Sequence, residues 1–214
     1  LTDTDLQLGA RPAYRSAEAY QWNYLPETKT EIDSISKYYK EATVLTNVDC
    51  TEEKFKSLFT STTNKYALVH FATHGHVIDN DPGLSSVILN QLSGKRKEDG
   101  YLTANEIEKM KIPAQLVVLS ACQTGKGMLM QGEGVQGLSS SFMVAGANSL
   151  IVSLWSVADK STRIFMQEVY KIVNKEGLSF KAAIQKVKGF FIAGKFGEEY
   201  QKPYYWAPFI YIGN

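Results

Sequence analysis

The sequence predicts an α/β domain built on one mostly parallel, six-stranded sheet flanked by helices. Three observations lead there. Apolar runs of strand length alternate with stretches of helical periodicity. A chain of 214 residues, 44% of them hydrophobic, is long enough for one sizeable core. Two of the apolar runs end in glycine-bearing segments that carry histidine or cysteine, and in an open parallel sheet the carboxyl ends of neighbouring strands converge on one crevice.

The elements follow in chain order. Residues 1–24 lack clear periodicity and read as an N-terminal extension to a domain over 25–214; with Leu1 in first place, the chain reads as part of a longer or processed polypeptide. Ile32, Ile35 and Tyr39 share one face of a helix over Glu27 to Tyr39, and Ala42 to Leu45 forms the first strand. Thr51 caps a short helix through Leu58. Strands at Tyr66 to Phe71 and Ser86 to Asn90 precede a charged, glycine-containing loop, "QLSGKRKEDG". "TANE", Thr103 to Glu106, is a capping box that opens a helix to about Met110. Next comes a strand at Gln115 to Ser120, then the loop "TGKGMLMQGEG", long enough to suggest a function. In "GEG", Glu133 sits favourably near the start of a helix from about Gln136. A strand at Ser149 to Leu154 is followed by two apolar stripes. Phe165, Val169, Ile172 and Val173 mark a helix ending at Gly177; Phe180, Ala183, Ile184, Val187 and Phe191 mark another, before a last strand at Pro208 to Ile212.

Composition narrows the function. A formal net charge of +1, with Lys95, Arg96 and Lys97 followed at once by Glu98 and Asp99, gives no basic field for nucleic acid. Apolar runs such as Leu116 to Leu119 fall far short of the roughly 20 residues of a membrane span, and no signal peptide is visible, so no membrane partner is expected. The two cysteines, Cys50 and Cys122, make no disulfide framework and suit a reducing, cytoplasmic setting.

All three histidines lie in "VHFATHGH", Val69 to His76, while "AQLVVLSACQTG", Ala114 to Gly125, brings Cys122 to the end of another strand. A thiol with an ordinary pKa of about 8.5 is mostly protonated at neutral pH. An imidazole beside it can take that proton and return it to a leaving amine. His74 and Cys122 therefore form a candidate base and nucleophile, with the backbone N–H groups of Gly75 and Cys122 as candidate oxyanion donors. Two other readings stand beside this one. The cysteine and histidine can be buried core residues; or His70, His74, His76 and Cys122 can ligate zinc, though their spacing matches no recognised zinc signature.

"HFATHG", "DGYLTANEI", "VVLSACQTG", "GEGVQGLSSSFMVAGANSLIVSLWSVADKST" and "YWAPFIYIG", in this order and spacing, resemble the CHAT domain, a family of caspase-like cysteine peptidases related to separases. The resemblance runs from about Leu25 to Gly213. It implies a caspase-like three-layer sandwich with a six-stranded, mostly parallel sheet. It also implies that His74 and Cys122 are the dyad of a cysteine endopeptidase that cleaves protein or peptide substrates through a thioester, without cofactor or metal, gated by a sensor or repeat region outside the chain. By analogy with separases, Asp159 would hold an Arg or Lys side chain preceding the cleaved bond; it is equally placed to cap the helix that follows. Ser156 and Trp155 are candidates for the wall of that pocket, and His76 is either a substrate contact or a loop residue. His70 is expected to pack in the sheet and Cys50 to be structural. The loop Gly125 to Gln131 would close over substrate or rearrange on activation, and Lys126 in it is a conceivable self-cleavage point. The alternative function is a non-catalytic interaction or signalling module with the same fold.

Overall fold

The structure, a computed structural model, describes residues 22, 24–60, 66–78, 80–91, 98–120 and 133–213, with only the backbone of 133–136. The elements in order are α1 (Pro26–Ser36), α2 (Glu52–Leu58), β1 (Leu68–Phe71), β2 (Gly75–His76), β3 (Ser86–Ile88), β4 (Tyr101–Thr103), α3 (Ala104–Ile107), β5 (Leu116–Leu119), α4 (Glu133–Val144), β6 (Ser149–Ser153), α5 (Asp159–Glu176), α6 (Phe180–Ile192) and β7 (Phe209–Gly213).

The main sheet has the order β1-β5-β6-β7, with β1, β5 and β6 parallel and β7 antiparallel to β6. Its central strands, LVVL and SLIVS, are buried throughout, because helices cover both faces and leave no polar side. Side chains alternate between two cores. Val117, Leu119, Leu150 and Val152 pack with Phe71, Leu138 and Phe142 on one face. Leu116, Val118 and Ile151 pack with Phe165, Tyr170, Phe191 and Phe209 on the other.

The Thr51 and Thr103 caps fall where the sequence places them. Thr51 Oγ1 accepts from the Lys54 N–H at 3.1 Å, and Thr103 and Glu106 bond reciprocally as a capping box. Gly177 ends α5 in the left-handed conformation at φ 70°, which glycine adopts without the steric cost of a Cβ.

Four expectations need correction. The main sheet has four strands among the described residues, not six. Ser86 to Ile88 is a strand, but it joins a separate antiparallel sheet of order β2-β3-β4; apolar content marks a strand without naming its partner. Ala42 to Leu45 makes no strand pairing among the described residues. It lines one side of an apolar recess of about 630 Å³ whose other side includes Leu68 to Thr73 of the β1 edge. The chain beyond it is tied to β3 instead, through Asn90 N–H to the Cys50 carbonyl at 2.7 Å. The first helix also stops at Ser36, short of Tyr39. Among the described residues, no helix is long and apolar enough to cross a membrane.

Lys56 fastens α2 to α3 and to the segment before β4. Its Nζ lies 2.7 Å from Glu52, 3.1 Å from Glu98 and 3.0 Å from Glu106. Burial works to lower its pKa, but these hydrogen-bonded carboxylates override it and the net shift is upward. Burial pushes the Glu52 carboxyl up to about 7; the Glu106 charge adds to this, and Lys56 and the Gly100 N–H oppose it. A carboxyl whose pKa is higher folded than unfolded contributes stability that is full below its unfolded pKa and is lost as pH rises through the folded value. Stability is therefore expected to fall from pH about 4.5 to about 7 on account of Glu52. Urea unfolding of Glu52→Gln at the two ends of that window should show a smaller fall than wild type, and an identical fall would contradict the assignment.

Candidate active site

The parallel register of β1 with β5 pairs Leu68 with Leu116 and Phe71 with Leu119, so the carboxyl ends of the two strands are level. The Ser120 N–H donates to the Phe71 carbonyl at 3.0 Å and carries the alignment one residue further. His74 comes three residues after β1 ends, and Cys122 three residues after β5 ends. Cys122 itself, with Gly125 to Gln131, lies outside the described residues, as do Lys95, Arg96 and Lys97.

The second sheet holds His74 in place. Its carbonyl accepts from the Ile88 N–H at 2.9 Å, and the neighbouring Thr73 hydroxyl donates to the Ile88 carbonyl at 2.5 Å. With that bond falling on His74, the facing residues Gly75 and Val87 form a non-hydrogen-bonded pair, and the Gly75 N–H turns away from β3. His74 is 6% exposed. The Trp22 indole packs on its imidazole with ring centroids 5.2 Å apart and planes tilted by 30°. The same indole meets His76 edge-on at 5.6 Å. His76 is a buried residue of β2, not a loop residue, and burial lowers its pKa.

His74, Glu31, Ser120, Ser156 and Asp159 line one small cavity of about 30 Å³. Such a volume accommodates about two water molecules. Two sequence candidates, Ser156 and Asp159, thus share a wall with the candidate base, while the Trp155 indole N–H donates to the Tyr204 carbonyl at 3.1 Å. The expected cap is corrected: Asp159 is the first residue of α5, its N-cap is Ala158, and no side-chain cap bond forms. Instead the Asp159 carboxylate accepts from the Glu27 N–H, at the start of α1, at 2.9 Å. It therefore sits at the amino ends of two helices, where negative charge is favoured. Burial nevertheless raises its pKa; the Glu27 N–H opposes this, the Glu27 and Glu31 charges add to it, and His74 opposes it.

Behind the cavity lies a buried polar network. Glu31 Oε1, on a side chain 1% exposed, is 2.8 Å from His70 Nε2 and accepts from the Ser120 hydroxyl at 2.8 Å. His70 Nδ1 is 2.8 Å from the Tyr170 hydroxyl. Burial, then the Tyr39 and Glu31 charges, raise the Tyr170 pKa well above its ordinary value. A His70 Nε2–H donating to Glu31, with Nδ1 accepting from the Tyr170 hydroxyl, satisfies all these contacts at once. His70 belongs to β1, as the sequence suggests, but both ring nitrogens are engaged away from His74.

A sequence profile of the CHAT domain matches residues 5–214. The chain belongs to the CHAT domain family. Within it, this CHAT domain is 30% identical over 113 residues to human tetratricopeptide repeat protein 28, and 28% identical over 113 residues to the mouse protein of that name. Each match covers 53% of this chain and 4% of the relative, so the chain corresponds to a small part of either relative.

Two residues of this CHAT site escape sequence reasoning. Trp22 lies in the segment without periodicity, and nothing local marks it as the partner of His74. Glu31 interrupts the apolar face of α1 with a charge, and it is buried there; a carboxylate next to Ile32 and in line with Ile35 is the signal that was available. A separate carboxylate group, Glu52, Glu98 and Glu106, has donor atoms within 4.8 Å of one another, and the Lys56 ammonium already supplies its cation.

Proposed function

We propose that this CHAT domain is a cysteine endopeptidase in which Cys122 is the nucleophile and His74 the general base and acid. The carrying observation is the cavity that joins His74 to Ser120, at the end of the strand leading two residues later to Cys122. The Cys122 thiol gives its proton to His74 as its sulfur attacks the substrate carbonyl. The oxyanion is held by the N–H groups of Gly75 and Cys122, the former turned away from the β2–β3 ladder. His74 then protonates the departing amine, and water hydrolyses the thioester. No cofactor enters these steps.

Asp159, with Ser156 beside it, is proposed to receive an arginine or lysine side chain of the substrate; the carboxylate and the negative neighbours Glu27 and Glu31 favour a cation there. A cavity of about 30 Å³ is too small for that side chain. Substrate entry therefore needs this wall to open, which supports gating by a regulatory region outside the chain. The relatives named for tetratricopeptide repeats are consistent with such a region.

The test is to incubate wild type and Cys122→Ala with a proteome-derived peptide mixture and to identify new termini by mass spectrometry. Cleavage after arginine or lysine that requires Cys122 is the expected result, and Asp159→Asn should lower it by about tenfold or more, the order of one charge-assisted hydrogen bond. Cysteine-dependent cleavage after other residues would remove the role of Asp159 but leave the peptidase. If wild type stays silent and its Cys122 thiol is no more reactive than a free cysteine, the fold serves as an interaction module instead.

A further inference from the structure

We infer that Glu31 is a positioning residue for the dyad: its buried carboxylate fastens together the two strand ends that carry His74 and Cys122. The inference rests on the peptidase reading above. One oxygen, Glu31 Oε1, serves both strands, lying 2.8 Å from His70 Nε2 in β1 and 2.8 Å from the Ser120 hydroxyl just past β5. His70 is four residues before His74, and Ser120 two before Cys122.

Among the described residues the strand register ends at Phe71 and Leu119, and the Ser120 N–H to Phe71 carbonyl bond is the last backbone step between the two segments. Glu31 adds a side-chain tie that sets the separation of the two segments there. Glu31 is suited to fix it because its own position is fixed. It lies on α1, whose first turn is held through the Glu27 N–H by Asp159 of α5, and Arg163 of α5 pairs with the Glu27 carboxylate. Farther along the same helices, Gln167 of α5 donates to the Ser34 hydroxyl of α1 at 2.8 Å. The Tyr170 hydroxyl, also from α5, sets the other side of the His70 ring at 2.8 Å. A carboxylate buried at 1% exposure is costly unless each lone pair in use meets a donor. The His70 N–H and the Ser120 O–H meet that need only while the two strand ends stay level. The same requirement makes the carboxylate a gauge of their spacing.

The experiment reads Cys122 directly, without a substrate. The rate of Cys122 alkylation by iodoacetamide is followed from pH 5 to 9 on the Cys122 peptide by mass spectrometry, in the 214-residue chain. Wild type, His74→Ala, Glu31→Ala, Glu31→Gln and Ser120→Ala are compared, with circular dichroism as the check on folding. Wild type should react faster below pH 7 than a free thiol does, and His74→Ala should abolish the excess. Glu31→Ala should lower the rate at pH 6.5 by at least ~10-fold, since each unit by which a thiol pKa rises toward about 8.5 costs that factor. Glu31→Gln keeps an acceptor oxygen and should stay within about threefold of wild type, because neutral acceptors are about half as strong. Ser120→Ala removes one arm and should fall between the two; it keeps the test decisive if Glu31→Ala does not fold. A merely structural carboxylate would shift the melting temperature and leave the profile of the folded protein unmoved, and that result for both alanine variants, or for Ser120→Ala alone if Glu31→Ala does not fold, would overturn the inference. A wild-type profile that is ordinary and unchanged in His74→Ala would remove the peptidase reading itself, and with it the dyad to be positioned.

Discussion

Replacing His74 by alanine is expected to lower peptide cleavage by about 10²- to 10⁴-fold, the usual contribution of a positioned general acid–base group. The loss should fall on kcat and on kcat/KM together, because proton transfer is needed only in the transition state. Folding should survive. His74 is held through its backbone, by the Ile88 N–H at 2.9 Å, and that bond does not depend on the side chain. The Trp22 indole loses its stacking partner but retains His76 at 5.6 Å. Steady-state kinetics on the best substrate from the peptide mixture would check this, with a thermal melt as control. A variant that melts like wild type and keeps more than a tenth of its kcat would remove His74 from the chemistry.

The second large effect concerns stability. Phe165, on α5, is fully buried; its ring stacks on Phe209 of β7 with centroids 4.2 Å apart and planes at 24°, and packs on Phe191 of α6 at 5.7 Å. One side chain thus joins two helices to the edge strand of the main sheet. Phe165→Ala is expected to cost about 3–5 kcal/mol, from lost transfer energy plus a cavity that this rigid aromatic cluster cannot collapse to fill. For a chain of this size each 1 kcal/mol lowers the melting temperature by roughly 2–4 °C, so a fall of about 6–20 °C should appear by calorimetry. A fall of less than about 2 °C would mean that the helical layer is not coupled to the sheet through this residue.

The sequence carried the helices and the central strands well, because each is a local pattern. Phe165, Val169 and Ile172 recur with the helical period, Thr51 and Thr103 cap, Gly177 terminates, and LVVL and SLIVS are too apolar to lie anywhere but inside. Partnership was not legible. Ser86 to Ile88 has the composition of a strand, yet its partners are β2, only two residues long, and β4, and neither is long enough to leave a period. Ala42 to Leu45 has a strand-like composition and no partner strand among the described residues. The site divides in the same way. Histidine before glycine at a strand end marked His74, and its cavity with Ser156 and Asp159 follows from strand ends that converge. The cap expected of Asp159 does not form, because a first-turn acid looks the same in sequence whether it caps its own helix or, as here, accepts from the first turn of α1. Glu31 and Trp22 reach the site from 43 and 52 residues away along the chain, from His74 respectively, as the difference of their numbers shows.

The pairing of β7 with β6 sets an order in time. Ser149 to Ser153 is matched residue for residue with Phe209 to Gly213, across some sixty residues of helix and turn. During synthesis the dyad segments and the helices over them emerge first, while the flank of β6 and the face of Phe165 wait for Phe209 and its strand. Long-range pairings of this kind close late, after the entropy of the intervening loop has been spent. The polypeptide therefore completes its four-stranded sheet only once residues 209–213 have been made, so a nascent chain holds the candidate site residues before the sheet beneath them is whole.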